Sequence, residues 1–379
     1  MLLRCLFAAA GLLLVAAASS PHPDEENALA KASRGRYPQV IAHRGASGYI
    51  PEHSLQAYQT AMDLEADYVE PDLCLSKDGI FVALHDVLLD DTTDVATLPE
   101  FASRKTTRDV DGVETTGFFV NDFTWAELQT LTLRQRLPFR TPLYNGVFRI
   151  PSLQQIAKLV ADDYNSTQQR LTGLYIEPKH PSYFASLGWD MDAMLLEQLV
   201  DNGYLVSGPE VPRDLKRVVP VVIQCFEADF LKRLRPQTNI PLVLLLNPPT
   251  PQQLADGSYW SQTFLADASA YADGLGPEKT LFATLPLEQA RQAVAEAHAA
   301  DLVLHPWTFR AEAQYIGKKF NSDFELENTY YLCCLGIDGL FSEFPDRSRE
   351  VVDGLLKWFS TAESEGCPVD CQTVGLPVM

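Results

Sequence analysis

Short apolar runs recur along the chain, each followed by a stretch whose apolar positions fall three and four residues apart. Such alternation predicts buried strands separated by amphipathic helices. The strand candidates are Val40–His43, Tyr68–Asp72, Leu174–Lys179, Val221–Phe226, Pro241–Asn247, Ala272–Gly276, Leu302–Trp307 and Gly336–Ser342. Between them stand helix candidates at Ser54–Leu64, Ser152–Ala161, Met191–Asp201, Glu227–Leu234, Leu287–His298 and Asp323–Leu332. Eight strands alternating with helices predict an α/β fold, a closed TIM (β/α)₈ barrel rather than an open sheet.

Polar punctuation sharpens the boundaries. Ser54 is placed to cap the helix of the first unit, and Ser152 with Gln155 forms a capping-box pattern. Ser76-Lys77-Asp78-Gly79 is a turn signal, so Phe81–Leu84 should fold back as a hairpin over the barrel mouth. Periodicity breaks down from Leu88 to Ile150, where only Thr124–Leu131 is a helix candidate. That stretch predicts a small lobe, about 88–150, inserted after the first strands into a barrel spanning 38–361, with a C-terminal tail at 362–379.

The first residues carry a different pattern. Arg4, the apolar stretch Leu6–Ala18 and the small residues Ala16-Ala17-Ala18 predict a signal peptide over 1–18, followed by a polar leader over 19–37. The apolar stretch is short for a membrane span, and no later run is long enough, so no stable membrane insertion is expected. The mature protein should be secreted or periplasmic. Removing Cys5 leaves six cysteines, an even number that permits disulfides in an exported chain without fixing their connectivity. Cys367 and Cys371, flanking three residues in the tail, are the easiest local pair, while Cys74, Cys225, Cys333 and Cys334 sit among apolar residues as candidate buried thiols. Asn165-Ser166-Thr167 is a glycosylation sequon, usable in a eukaryotic source.

The formal net charge of −20 argues against nucleic acid or an anionic membrane as a partner. An anionic substrate would need a local positive field. The strand ends supply candidates: His43-Arg44-Gly45, Glu70-Pro71-Asp72, His85-Asp86 and Glu177-Pro178-Lys179. Strand residues two apart face the same way, so Glu70 aims with Asp72, and Glu177 with Lys179. Proline donates no ladder hydrogen bond and belongs at a strand end, which is where barrel enzymes build their sites. Glu70, Asp72 and Glu177 offer hard oxygen ligands for a divalent metal, Ca²⁺ or Mg²⁺. His43 and His85 suit general acid and base work near neutral pH. Arg44 can fork onto phosphate oxygens, Lys179 adds a compact charge, and Gly45 lets the backbone approach closely. Phosphate-ester chemistry accounts for all of these residues.

The same strings resemble a known family. HRGASGYIPEHSLQAY (His43–Tyr58), ADYVEPDLCLSKDG (Ala66–Gly79), ALHD (Ala83–Asp86), YIEPK (Tyr175–Lys179), ADGLGPEK (Ala272–Lys279), LHPWTFR (Leu304–Arg310) and GIDGLFSEFPD (Gly336–Asp346) are similar to glycerophosphodiester phosphodiesterases, particularly the periplasmic and secreted branch. The resemblance spans about Val40 to Asp346 with its order preserved. It implies a metal-dependent TIM-barrel hydrolase that cuts small-molecule glycerophosphodiesters to glycerol 3-phosphate and an alcohol. It makes His43 and His85 the acid–base pair, Glu70, Asp72 and Glu177 the metal ligands, and Arg44 and Lys179 the phosphate contacts. Trp307 and Phe309 match aromatic positions near the substrate pocket, and Glu52 matches a family acid that steadies Arg44 or approaches the metal. His53-Ser54 departs from the family's usual Asn-Thr, and an exposed or packed histidine is the expected outcome. Three other readings stand beside this one. They are a phospholipase D-like or phosphatidylinositol phospholipase C-like barrel acting on lyso- or intact lipids, a non-catalytic exported barrel protein, and a glycosidase. The last leaves both histidines, Arg44 and Lys179 without work.

Overall fold

Gln39–His43 forms the first strand, β1, because Val40, Ile41 and Ala42 have no solvent to face on either side. Strands buried on both faces by surrounding helices are the mark of a parallel α/β sheet. The computed structural model describes residues 37–167, 172–201, 220–361 and 366–374, so the expected signal peptide and all but the end of the leader lie outside the described residues. The remaining strands are β2 (Tyr68–Glu70), β3 (Asp72–Leu75), β4 (Phe81–Ala83), β5 (Thr106–Val110), β6 (Val113–Gly117), β7 (Gly173–Pro178), β8 (Val221–Cys225), β9 (Leu242–Leu246), β10 (Gly274–Pro277), β11 (Val303–Leu304) and β12 (Gly339–Ser342).

Eight of them lie side by side in the order β11-β10-β9-β8-β7-β2-β1-β12, all paired parallel. Hydrogen bonds from Phe341 N to Pro306 O (3.1 Å) and from Phe309 N to Phe341 O (2.8 Å) carry the chain after β11 to β12, so the ring nearly closes on itself. Alternate residues divide the burial. Ile41, Tyr68, Tyr175, Val222, Val243, Val303 and Phe341 form one cluster, and Val40, Ala42, Val69, Leu174 and Ile176 join the larger core. Each fully buried Val, Ile, Leu or Phe among them contributes about 1.5–3 kcal/mol.

All eight expected barrel strands form. The second is broken at Pro71, which leaves β3 to pair with both β4 and β7. The β3–β4 hairpin turns through Ser76, whose Oγ donates to Asp78 Oδ1 at 2.7 Å. Ser54 caps the helix Leu55–Asp63 by accepting from Ala57 N at 3.1 Å, and Ser152 and Gln155 exchange capping-box bonds of 3.0 and 3.2 Å. The sequon residues Asn165–Thr167 end the helix Leu153–Thr167. No helix among the described residues is long and apolar enough to cross a membrane.

Three features depart from expectation. In the inserted segment, β5 and β6 form a hairpin around Asp111-Gly112, both at positive φ (52° and 86°). Its strands are mostly threonine and charged residues, so no apolar alternation announces them, but the Asp-Gly pair is a hairpin signal in itself. The long helix Pro345–Ser360, which buries Val351, Val352 and Leu355, was also unforeseen. The cysteines correct the local-pair expectation. Cys367 and Cys371 do not join each other; Cys333 pairs with Cys367, and Cys334 with Cys371. Cys333 and Cys334 are adjacent on the π-helical stretch Tyr330–Leu335, so their side chains diverge and each presents its sulfur to a different part of the tail. Cys74 and Cys225 are buried free thiols, as expected.

Candidate active site

Register brings the charged strand ends together. β1 pairs with β2 so that His43 stands opposite Glu70, and β3 pairs with β7 so that Asp72 stands opposite Glu177. After His43 the chain turns sharply through Arg44 (φ 60°) and Gly45 (φ 80°). A side chain at Gly45 would bring its Cβ to 2.6 Å from the Ala57 backbone, so only glycine lets the turn lie against the helix. The turn aims the Arg44 amide at Glu70 Oε2 (2.8 Å) and its guanidinium at Glu52 Oε1 (2.8 Å) and Asp72 Oδ2 (3.2 Å). Glu52 thus steadies Arg44, and it lies apart from the carboxylate cluster.

Among the described residues, Glu70, Asp72 and Glu177 form one buried group of carboxylates, with a ligand oxygen from each within 4.8 Å of the others. Lys179 Nζ lies 2.7 Å from Glu177 Oε1. Burial, with Asp72 and Glu177 adding repulsion, raises the Glu70 carboxyl well above the ordinary range. Burial likewise lifts Glu177 to about 8, against the pull of Lys179. Asp72 goes the other way. Its burial is outweighed by Lys179, the His53 hydrogen bond and Arg44, which hold it well below the usual value. Asp72 Oδ1 is buried with no hydrogen-bond partner. Three hard oxygen donors that repel one another, one with an orphaned atom, suit a divalent cation.

His43 and His85 line one cleft of about 340 Å³ with Arg44, Glu70, Glu177 and Lys179. His43 Nδ1 meets Glu343 Oε1 at 3.0 Å. Burial and the charge of Arg44 lower the His43 imidazole to about 4, against Glu343. Burial, Arg44 and Lys179 hold His85 well below its ordinary value. Glu343 stays ionised despite its burial, because His43, Arg310 and Arg140 surround it. Asp86 is exposed.

Trp307 lines the cleft, anchored by its Nε1 to Gly276 O (2.8 Å) and meeting Phe226 edge-on at 5.7 Å between centroids. Phe309 corrects the expectation of a pocket aromatic. Its ring is fully buried against Tyr331 (5.0 Å between centroids) and packs in the wall, because the chain past β11 leaves strand geometry and Phe309 bridges to Ser342 while Trp307 bridges to Glu278. His53 is a packed histidine. Its Nε2 lies 2.9 Å from Asp72 Oδ2 and its Nδ1 2.7 Å from the Tyr58 hydroxyl, so it braces a candidate ligand from behind.

Residues 43–347 match the sequence model of the glycerophosphoryl diester phosphodiesterase family. The chain belongs to this family. The glycerophosphodiester phosphodiesterase GDPD6 of Arabidopsis thaliana is 37% identical over 322 residues, covering 81% of this chain and 84% of its own. A glycerophosphodiester phosphodiesterase of Haemophilus influenzae is 29% identical over 359 residues, covering 83% and 90%. In fold, the chain is similar to an Oleispira antarctica phosphodiesterase solved in complex with the product sn-glycerol-3-phosphate (TM-score 0.53, 23% identity, 85% of this chain and 99% of that one).

Several residues in this family member's cleft, or supporting it from behind, have no counterpart among the sequence-predicted site residues. Gln224 donates to Glu70 Oε1 at 3.0 Å from the end of β8. Lys279 lines the cleft and pairs at 2.8 Å with the buried Glu327. Glu343 and Lys279 both end strands within the quoted motifs, so the rule that found Glu70 and Glu177 would have found them. Arg136 and Arg140 come from the irregular lobe, where no periodicity points inward.

Proposed function

We propose that the protein hydrolyses glycerophosphodiesters, such as glycerophosphocholine and glycerophosphoethanolamine, to glycerol 3-phosphate and an alcohol. The observation that carries this is the convergence of His43, His85, Arg44, Lys179, Glu70 and Glu177 on one small cleft, with Asp72 clustered behind the two glutamates. Glu70, Asp72 and Glu177 would hold Ca²⁺ or Mg²⁺, which supplies charge stabilisation at phosphorus and acidifies a bound hydroxyl. Arg44, clamped by Glu52, offers a preorganised guanidinium to a phosphate oxygen, and Lys179 adds a second positive charge. Of His43 and His85, one takes the proton of the attacking hydroxyl and the other delivers a proton to the leaving alcohol oxygen as the P–O bond breaks. Glu343 accepts from His43 Nδ1–H, which leaves Nε2 as the atom that exchanges the proton.

The same reading has the enzyme exported. Two disulfides support it, since such bonds persist in oxidising compartments. The test is release of glycerol 3-phosphate from glycerophosphocholine after chelation and readdition of single metals, with lysophosphatidylcholine in a parallel arm. Metal-restored release from the first substrate is expected. Release of choline or phosphocholine from the lyso-lipid alone would move the enzyme to the phospholipase class, and no product from either substrate with either ion would remove the hydrolase assignment.

A further inference from the structure

Arg136 and Arg140 stand four residues apart in the inserted lobe, and each ends on a carboxylate of the barrel. Arg136 Nε lies 3.1 Å from Glu52 Oε2, while Glu52 Oε1 lies 2.8 Å from Arg44 Nη1. Arg140 Nη2 lies 2.5 Å from Glu343 Oε2, while Glu343 Oε1 lies 3.0 Å from His43 Nδ1. Arg140 takes a further hold through Nη1, which donates to Ser47 O at 2.9 Å; Ser47 Oγ in turn donates to His43 O at 2.7 Å. Two lobe arginines therefore bear, each through one shared carboxylate, on two consecutive residues of the site.

We propose that Arg136 and Arg140 are positioning residues through which the inserted lobe orients Arg44 and His43. A carboxylate gripped on both oxygens has little rotational freedom, and Arg140 is itself held by its fork onto Glu312 (Nε–Oε1 2.6 Å, Nη2–Oε2 3.3 Å), which fixes the direction from which its Nη2 meets Glu343. Arg140 and Glu343 are both almost fully buried (side chains 4% and 2% exposed), so little solvent screens them. Arg136 is 29% exposed, so its grip is weaker. Arg310 Nε also holds Glu343 Oε1, at 2.8 Å, so losing Arg140 frees the carboxylate to turn without leaving it unpaired.

The inference rests on the reading that His43 moves a proton and Arg44 holds phosphate, and it divides the kinetic consequences. Arg140→Gln should lower kcat on glycerophosphocholine by about 10-fold with KM within about 2-fold, the signature of a contact that matters in the transition state. Arg136→Gln should raise KM by roughly 3- to 10-fold with kcat nearly kept, since Arg44 binds phosphate throughout. Arg140→Lys should recover part of the loss. Lys105→Gln, on the lobe surface, is a control expected to match wild type, because that ammonium meets Asp90 at 3.5 Å and the Phe118 ring at 5.7 Å, neither of which lines the cleft. The second readout is the ring-nitrogen NMR signal of His43, assigned through His43→Asn, which should move in Arg140→Gln and stay in Lys105→Gln. Unchanged kcat and KM in both glutamine variants, with an unmoved His43 signal, would overturn the proposal while the hydrolase reading stands. If Arg140→Gln does not fold, Arg140→Lys decides: wild-type kinetics and an unmoved signal overturn the proposal that the guanidinium, held by Glu312, aims Glu343. A moved signal in a protein that turns over no diester keeps the positioning role and drops the hydrolase reading.

Discussion

Glu343 Oε1 stands 3.0 Å from His43 Nδ1, three hundred positions away in the chain. The contact joins the end of the last strand to the end of the first, because β12 pairs with β1. A neutral amide in its place could present its NH₂ to the same nitrogen and stabilise the wrong tautomer. Glu343→Gln should lower kcat by about 10²-fold or more with the fold intact by circular dichroism. Turnover within a few-fold of wild type would show that His43 needs no such partner.

His43→Ala and His85→Ala should each reduce kcat by about 10²–10⁴-fold, the usual range for acid–base catalysis. Metal content measured on the same preparations separates lost chemistry from a lost ion. Near-wild-type turnover in both variants would remove the acid–base assignment.

Chelated protein should gain stability on adding Ca²⁺ or Mg²⁺, because the cation offsets the burial and the carboxylate repulsion that together lift Glu70. The gain should approach about 2.7 kcal/mol when the ion is at a hundredfold its Kd. Thermal unfolding of wild type and Asp72→Asn with each ion checks this, with the shift expected only in wild type. Equal shifts in the two proteins would place the ion elsewhere.

Glu52 sets an acid limb to stability. Its burial is outweighed by Arg44 and Arg136, which draw its carboxyl from 4.5 down to about 2 in the folded protein. A depressed folded value stabilises above the unfolded pKa and is lost as pH falls through the folded one, so the window runs from about 4.5 to about 2. The contribution is roughly 3 kcal/mol at neutral pH. The gap in urea stability between wild type and Glu52→Gln should therefore narrow by about half on going from pH 6 to pH 3. A constant gap would mean that the carboxylate's charge is not what holds Arg44.

The two disulfides should matter to stability and not to chemistry. Among the described residues none of their four sulfurs lines the cleft. Replacing Cys367 and Cys371 together by serine should cost about 2–4 kcal/mol of unfolding free energy and leave kcat within about 2-fold. A large fall in kcat at a temperature where the variant remains folded would tie the tail to the site.

What the sequence made legible follows from where the information sits. Barrel strands are buried on both faces, so Val40–Ala42 and Leu242–Leu246 announce themselves by composition, and their charged ends, His43, Glu70, Glu177 and Lys179, stand out by contrast. The structure gathers those residues with Arg44, Asp72 and His85. Glu343 carried the same strand-end signal and went unread. Arg136 and Arg140 were illegible for a physical reason: an irregular loop has no period from which to infer the direction of a side chain. Sequence proximity misleads for the cysteines because Cys333 and Cys334 diverge from one helical stretch, and each takes one of the two tail sulfurs.

The seam between β1 and β12 has a consequence for the timing of biosynthesis. A growing chain can lay down seven of the eight staves and bury much of its interior while His43 still lacks its carboxylate and β1 still lacks a neighbour. Competence comes with the segment that is translated after Gly339. Turnover is thus a report on completion: a chain cut short before Gly339 lacks both the outer neighbour of β1 and the carboxylate of His43.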